Sequence, residues 1–246
     1  MTGPDAMIAI QGLTKRFDTL TAVDNITFSV QRGEVLGFLG PNGAGKSTTM
    51  KMVTGYLPIT SGKAYVCGHD VESPDLASRH HIGYLPEGAP LYGDMTCAAF
   101  LDFIAQVRDF KGAEKTKRIE LAVKRLGLEP VYNRPIETLS KGYKRRVGFA
   151  QAILHDPEVL ILDEPTDGLD PNQKFQVRAL IKEMAHDKAI VISTHILEEV
   201  TAVCTRAVII ANGRLVFDGT PDELASKSPT RFLDDVFREL TLKPAH

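Results

Sequence analysis

Gly40-Pro41-Asn42-Gly43-Ala44-Gly45-Lys46-Ser47 has the spacing GxxxxGK[ST]. In that order the residue types suit one task, the holding of a polyphosphate. Glycines let successive backbone N–H groups converge on phosphate oxygens, and a helix beginning just after them adds its partial positive charge. Lys46 can reach the β- and γ-phosphates, the Ser47 hydroxyl can ligate Mg²⁺, and Thr48 follows in the same first turn. A second segment supplies the opposite charge: Val159-Leu160-Ile161-Leu162-Asp163-Glu164, an apolar run ending in two carboxylates. Asp163 is expected to hold Mg²⁺, directly or through water, and Glu164 to polarise an attacking water as general base.

These groups need elements to carry them. The phosphate loop follows the apolar run Val35-Leu36-Gly37-Phe38-Leu39 and precedes Ser47-Thr48-Thr49-Met50-Lys51-Met52, a strand–loop–helix placement. Similar runs recur at Val159-Leu160-Ile161-Leu162, Ala189-Ile190-Val191-Ile192 and Ala207-Val208-Ile209-Ile210. Strands buried on both faces read this way, and helices between them imply an α/β fold with a mostly parallel sheet. Carboxylates at a strand's C-terminal edge lie where ligands bind in such sheets. Upstream, the alternation in Ala6-Met7-Ile8-Ala9-Ile10 and Ile26-Thr27-Phe28-Ser29-Val30 predicts two half-buried strands paired antiparallel. Between about 90 and 156 no comparable run occurs, and helices are expected over 96–108, 113–126 and 140–154. The expected organisation is an α/β core with an antiparallel portion over about 1–89 and 157–220, an inserted helical subdomain over about 90–156, and a C-terminal helical tail over about 221–246. In that tail, a helix over 230–240 places Phe232, Leu233, Val236, Phe237 and Leu240 on one face, expected to pack on the core.

Composition sets the outer bounds. The 246 residues carry 29 Lys+Arg against 31 Asp+Glu, a net charge of −2, with 43% hydrophobic residues. That balance supports a real core and argues against wholesale electrostatic binding of nucleic acid. The longest uncharged runs, eleven residues, are too short for a membrane span of roughly 18–20. Three separated cysteines without a CxxC pair, and no leader-like N-terminus, point to free thiols in a cytoplasmic setting. Cys67-Gly68-His69-Asp70 and His80-His81 lack a second ligand pair, so no metal site is expected there.

Leu139-Ser140-Lys141-Gly142-Tyr143-Lys144-Arg145-Arg146 resembles the LSGGQ-type signature of ATP-binding cassette (ABC) proteins. Five further segments extend the resemblance over nearly the whole chain. Phe17 stands where the family's adenine-stacking aromatic is expected, and Gly83-Tyr84-Leu85-Pro86-Glu87 is similar to its Q-loop. The phosphate loop and Asp163-Glu164-Pro165-Thr166 match, Gly168-Leu169-Asp170 is similar to the D-loop, and Ser193-Thr194-His195 to the switch histidine.

The resemblance implies a P-loop ATPase fold, with ATP and Mg²⁺ as ligands. Phe17 would stack on adenine, Ser140 and Gly142 would contact a γ-phosphate, and His195 would bond the γ-phosphate and position water. Glu87 would approach Mg²⁺, and Asp170 would join the nucleotide site. In the family the signature faces the phosphate loop of a second cassette; one chain with one of each implies a homodimer, docked on separate polytopic membrane subunits at the cytoplasmic face. Three residues depart from the pattern: Glu87 replaces a Gln, and Lys141 and Tyr143 replace a Gly and the Gln of LSGGQ. The Gly-Tyr-Leu-Pro-Glu and LSKGY forms resemble the ATPases of ABC-2-type exporters, including those of gliding motility. Two other outcomes remain open at this level: a soluble cassette ATPase acting on nucleic acid or ribosomes, and one that transmits force without moving a substrate. Of the two basic clusters, Lys115-Thr116-Lys117-Arg118 reads as a solvated helix face, while Lys144-Arg145-Arg146 is placed to add to the field at phosphate.

Overall fold

Two sheets divide the β structure of this computed structural model, which describes residues 6–88, 90–227 and 233–242. In chain order the strands are β1 (Ile8–Phe17), β2 (Leu20–Val30), β3 (Val35–Leu39), β4 (Ser61–Val66), β5 (His69–Asp70), β6 (Ile82–Leu85), β7 (Val159–Asp163), β8 (Ala189–Thr194), β9 (Arg206–Ala211) and β10 (Arg214–Gly219). The helices are α1 (Lys46–Val53), α2 (Cys97–Val107), α3 (Gly112–Arg125), α4 (Lys141–Ile153), α5 (Pro171–Met184), α6 (Leu197–Val203), α7 (Pro221–Ser226) and α8 (Leu233–Leu242). One sheet is antiparallel, in the order β2-β1-β4-β5; the other runs β10-β9-β3-β8-β7-β6, parallel except for β10.

The continuous apolar runs are explained by what covers each face. Side chains alternate along a strand, so Leu36, Phe38, Val159, Ile161, Val191, Val208 and Ile210 meet Ile8, Ile10, Leu13, Val23 and Phe28 of the antiparallel sheet. Their neighbours Leu160, Leu162, Ile190 and Ile192 pack with Phe100, Leu101, Val147 and Phe149 of α2 and α4. Each such side chain, fully buried, contributes roughly 1.5–3 kcal/mol, and the buried polar residues of β7 and β8, Asp163, Ser193 and Thr194, stand at their C-terminal ends. Leu39, Ala207 and Ile209 face a third cluster containing Phe217, Leu224 and Val236.

Helix limits follow capping chemistry. Thr96, Ser140 and Asp170 each accept a bond from the backbone N–H three residues on, which fixes where α2, α4 and α5 begin. A capping box between Thr220 and Glu223, with Pro221 in the first turn, starts α7. Tail helix α8 packs Val236, Leu233, Phe237 and Leu240 on the third cluster; Phe232 lies outside the described residues. The first two strands are about twice the expected length, because they form one hairpin through a turn at Asp18, φ 46°. Register shifts along β1 break the alternation that would have revealed it. Strands β4, β5, β6 and β10, too polar or too short to show a pattern, are not predicted by the sequence.

Strand β6 is the edge of the parallel sheet, and α4 lies against it. Arg145 Nη1 donates to the Pro86 carbonyl at 2.8 Å, Gln151 Nε2 to that of Tyr84 at 2.9 Å, and His155 Nε2 lies 3.0 Å from that of Ile82. Alternate carbonyls of an edge strand point outward, so residues 82, 84 and 86 are each met by a side chain at the end or body of the helix. Burial pushes the His155 imidazole down to about 4, which keeps it neutral and able to share its ring N–H with a carbonyl. This close approach requires glycine at 83, where a Cβ would run into the Ala152 carbonyl and the Leu160 side chain.

Among the described residues no helix is long and apolar enough to cross a membrane. Cys67, Cys97 and Cys204 are free, and burial raises their thiols to about 11, 11 and 12. Gly83→Ala is expected to cost about 1–3 kcal/mol by forcing α4 from β6, read as a melting temperature lower by roughly 2–12 °C. An unchanged melting curve would show that the helix can back away freely.

Candidate functional site

Parallel register assembles the site. Leu39 of β3 pairs with Thr194 of β8, and Ser193 of β8 with Asp163 of β7. Gly40 therefore leaves the sheet level with His195, and Glu164 one residue short of it, beside Thr194, at the C-terminal edge.

The loop 40–47 turns directly into α1. Gly45, at φ 107°, is its N-cap; there is no side-chain cap and no acidic residue in the first turn. A Cβ at Gly45 would meet the Ala22 carbonyl, so both its conformation and its surroundings demand glycine. The uncapped N–H groups of that turn suit an anion. Lys46, only 7% exposed, donates from Nζ to the carbonyls of Gly40 at 2.6 Å and Pro41 at 3.1 Å. Burial pushes its ammonium below the usual lysine range, against the opposing pull of Glu164, Asp163 and Glu87. The cation thus sits on the loop with three carboxylates near enough to be felt.

On the acidic side, Asp163 is buried at the end of β7. Glu164 holds a left-handed backbone, φ 51°, which costs a non-glycine residue of order 1–3 kcal/mol. The conformation is held from both sides: its N–H donates to the Ser193 carbonyl at 2.8 Å, and its own carbonyl accepts from Arg145 Nη2 at 2.7 Å. The His195 Nδ1 lies 2.7 Å from Glu164 Oε1. A proton on Nδ1 makes that a charge-assisted bond and leaves Nε2 facing outward.

Two residues absent from the expected set support these groups. Arg145 is buried and also bonds the Asp163 carbonyl. Glu199 of α6 is 2% exposed and accepts from Thr194 Oγ1 at 2.8 Å, while that same oxygen accepts from the Ile196 N–H at 3.0 Å. The bend carrying His195 is thereby tied down from beneath, and burial raises the Glu199 carboxyl above its usual range. For Arg145 the sequence suggested only a contribution to the field at phosphate, not these backbone bonds, and Glu199 gave no signal, since a helical Glu ordinarily marks a solvated face.

Other expected residues lie apart. Phe17, at the end of β1, is 42% exposed, so it is no core aromatic, and Lys15 Nζ lies 5.1 Å from its ring centre. Exposed Ser140 and buried Gly142 open α4 beside the 167–170 turn: Lys141 pairs with Asp167 at 2.8 Å, and a Cβ on Gly142 would meet Gln173 Oε1. The Asp170 carboxylate caps α5 through the Gln173 N–H at 2.9 Å. Glu87, exposed, occupies the turn after β6. Arg146 points away from the site, donating to the Leu126 and Gly127 carbonyls at 3.0 and 3.3 Å and lying 4.1 Å from the Tyr143 ring centre. That corrects the expectation that it adds to the field at phosphate. The rings of His69 and His81 stack, and no group of three potential metal ligands occurs among the described residues.

The sequence profile of the family described as ABC transporter matches residues 23–167. The chain is 36% identical over 228 residues to the probable multidrug ABC transporter ATP-binding protein YbhF of Escherichia coli (strain K12), covering 92% of this chain and 39% of that protein, so it spans about two fifths of that relative. It is 34% identical over 223 residues to the Nod factor export ATP-binding protein I of Ralstonia nicotianae, covering 90% of this chain and 70% of that one. A solved ATP binding subunit of an ABC transporter superposes with a TM-score of 0.87 at 30% identity, covering 95% of this chain and 99% of that one.

Glu199→Gln tests the support beneath His195. In the folded chain the raised carboxyl keeps its proton to higher pH than in the unfolded chain, so ionisation on raising pH opposes folding. Glutamine keeps an acceptor for Thr194 and cannot ionise. The variant is expected to gain more in melting temperature at about pH 8 than at about pH 4; an equal change at both would remove buried ionisation as the cause.

Proposed function

Since the chain belongs to the ABC transporter family, we propose that it binds and hydrolyses ATP as the nucleotide-binding subunit of an ABC-2-type exporter, a homodimer acting on separate membrane subunits at the cytoplasmic face. The observation that carries this reading is the convergence of Lys46, Asp163, Glu164 and His195 at the aligned ends of β3, β7 and β8.

The residues present fit both ligands. A loop whose backbone only glycine can adopt, an uncapped helix start and a buried ammonium suit phosphate. Lys46 exchanges the Gly40 and Pro41 carbonyls for phosphate oxygens, so its cost of burial is already met before ATP arrives. The Ser47 hydroxyl and the Asp163 and Glu87 carboxylates are hard oxygen donors of the kind Mg²⁺ takes. When bound, that ion would neutralise charge on the phosphates.

Glu164, with one oxygen bonded to His195, uses the other to orient water for in-line attack on the γ-phosphorus and to take its proton. His195 presents Nε2 to the γ-phosphate, and exposed Phe17 offers its face to adenine. Ser140 and Gly142 lie on α4 rather than on the loop, so they are free to cap the γ-phosphate held by a second copy. ATP then favours the closed pair because only that pair offers it both sets of donors, and hydrolysis releases them.

A cleft of about 670 Å³ between the α/β part and the helices is lined by Lys51, Tyr56, Arg79, Glu87 and Arg108, with Tyr56 78% exposed. We place the membrane subunit there, where pressure on it would reach Glu87 directly. The similarity to the Nod factor export protein favours export. A net charge of −2 disfavours a cassette working on nucleic acid.

Glu164→Gln is expected to bind ATP with unchanged affinity and to hydrolyse it about 100-fold or more slowly; turnover at the unmodified rate sinks the assignment of the base. Affinity purification of the tagged chain from solubilised membranes is expected to recover a polytopic partner. Recovery of ribosomes or DNA in its place would overturn the transport reading.

A further inference from the structure

Arg145 stands one turn inside α4, 7% exposed, and the reaction described above makes no use of it. Its guanidinium donates to three backbone oxygens in two separate segments. Nη1 reaches the Pro86 carbonyl at 2.8 Å, in the turn that carries Glu87; Nη2 reaches the carbonyls of Asp163 and Glu164, the latter at 2.7 Å. One rigid plane of atoms therefore joins the turn at the partner-facing cleft to the peptide unit of the residue that orients water. Pro86 and Glu87 line that cleft, so a group docking there touches the first of these oxygens' own residue.

We propose that Arg145 is a positioning residue for hydrolysis, which couples the turn at 86–88 to the backbone of Glu164 so that displacement of the turn changes the aim of the Glu164 carboxylate. The inference rests on the ATPase reading of Glu164. Its physical basis is the backbone of that residue. At φ 51° Glu164 holds a conformation that its own sequence does not favour, and it is kept there by its N–H donating to the Ser193 carbonyl and by its carbonyl accepting from Arg145 and from the Asp167 N–H. Take away the guanidinium and the carbonyls of 163 and 164 lose a buried donor; the segment relaxes, and the carboxylate moves with it.

Arginine is required because the planar fork presents donors in two directions at once, where the single nitrogen of lysine cannot span both segments. The rest of β6 stays seated in either variant, since Gln151 and His155 hold the Tyr84 and Ile82 carbonyls. The phosphate loop stays too, because Lys46 bonds Gly40 and Pro41 and makes no bond to Arg145. The effect therefore falls on the chemical step rather than on nucleotide binding.

The experiment compares the full-length unmodified chain with Arg145→Lys and Arg145→Ala, measuring steady-state hydrolysis of Mg·ATP, affinity for a non-hydrolysable ATP analogue, melting temperature and backbone hydrogen exchange. The expected result is kcat lower by about 10- to 100-fold in both variants, as for an ångström-scale misplacement of a catalytic group. The ATP KM and analogue affinity should stay within about threefold, which is less than 1 kcal/mol. The amides of Glu87, Gly88, Glu164, Thr166, Asp167 and Gly168 should exchange faster together, with those of α1 unchanged. If Arg145→Ala fails to fold, Arg145→Lys decides alone: a fall in kcat at an unmodified melting temperature supports the coupling. Unmodified kcat in Arg145→Lys overturns it, as does a loss of affinity and melting temperature in proportion to kcat, which marks a general prop of the fold. An unmodified chain that binds the analogue but leaves ATP intact overturns the ATPase reading and this inference together; an active chain indifferent to Arg145 overturns this inference alone.

Discussion

Everything at the site depends on the parallel register of three neighbouring strands. Because Leu39 stands opposite Thr194, and Asp163 opposite Ser193, three separate segments leave the sheet within one residue of the same height. A slip of one residue would turn Asp163 to the other face and move Glu164 away from His195, since successive side chains alternate. The register is protected by burial on both sides: Leu160 and Ile190 pack toward the helices while Ile161 and Val191 pack toward the antiparallel sheet, so neither strand can shift without exposing apolar groups to the wrong partners.

The helical part is attached to this core by polar bonds as well as by apolar contact. Arg145, Gln151 and His155 satisfy the outward carbonyls of β6, which closes the sheet edge and leaves the turn at Pro86 suspended from the signature helix. That arrangement explains how an inserted helical segment can be mechanically continuous with a site built from strand ends. It also explains a buried arginine in a basic run: the two Nη atoms of Arg145 donate to the Pro86, Asp163 and Glu164 carbonyls, and its charge faces Asp163, Asp167, Glu164 and Glu87.

Charge is distributed with the same economy. Lys46 is buried against carbonyls and faces Glu164, Asp163 and Glu87, while the overall balance of the chain is −2. Local fields, rather than net charge, therefore prepare the loop for a polyanion. The exposed pair Lys141 with Asp167 carries little stabilisation of its own, as solvent-screened ion pairs generally do. Lys141 instead fixes the relation between the signature and the turn that follows Glu164.

Sequence alone was sufficient for whatever depends on neighbours along the chain. The phosphate loop was legible because GxxxxGK[ST] is a local geometry, the acidic strand end because an apolar run that stops at two carboxylates has few uses, and the helices α2, α3 and α4 because their apolar positions recur at helical spacing. The long hairpin of β1 and β2 was only half legible, since bulges interrupt the alternation that marks a strand. What only the tertiary structure decided is contact between residues far apart in sequence: His195 on Glu164, Glu199 beneath Thr194, Arg145 across Pro86 and Glu164. A hydrogen bond depends on the position of two atoms to within a few tenths of an ångström, and for residues in different strands that position is set by packing and register, which no spacing along the chain encodes.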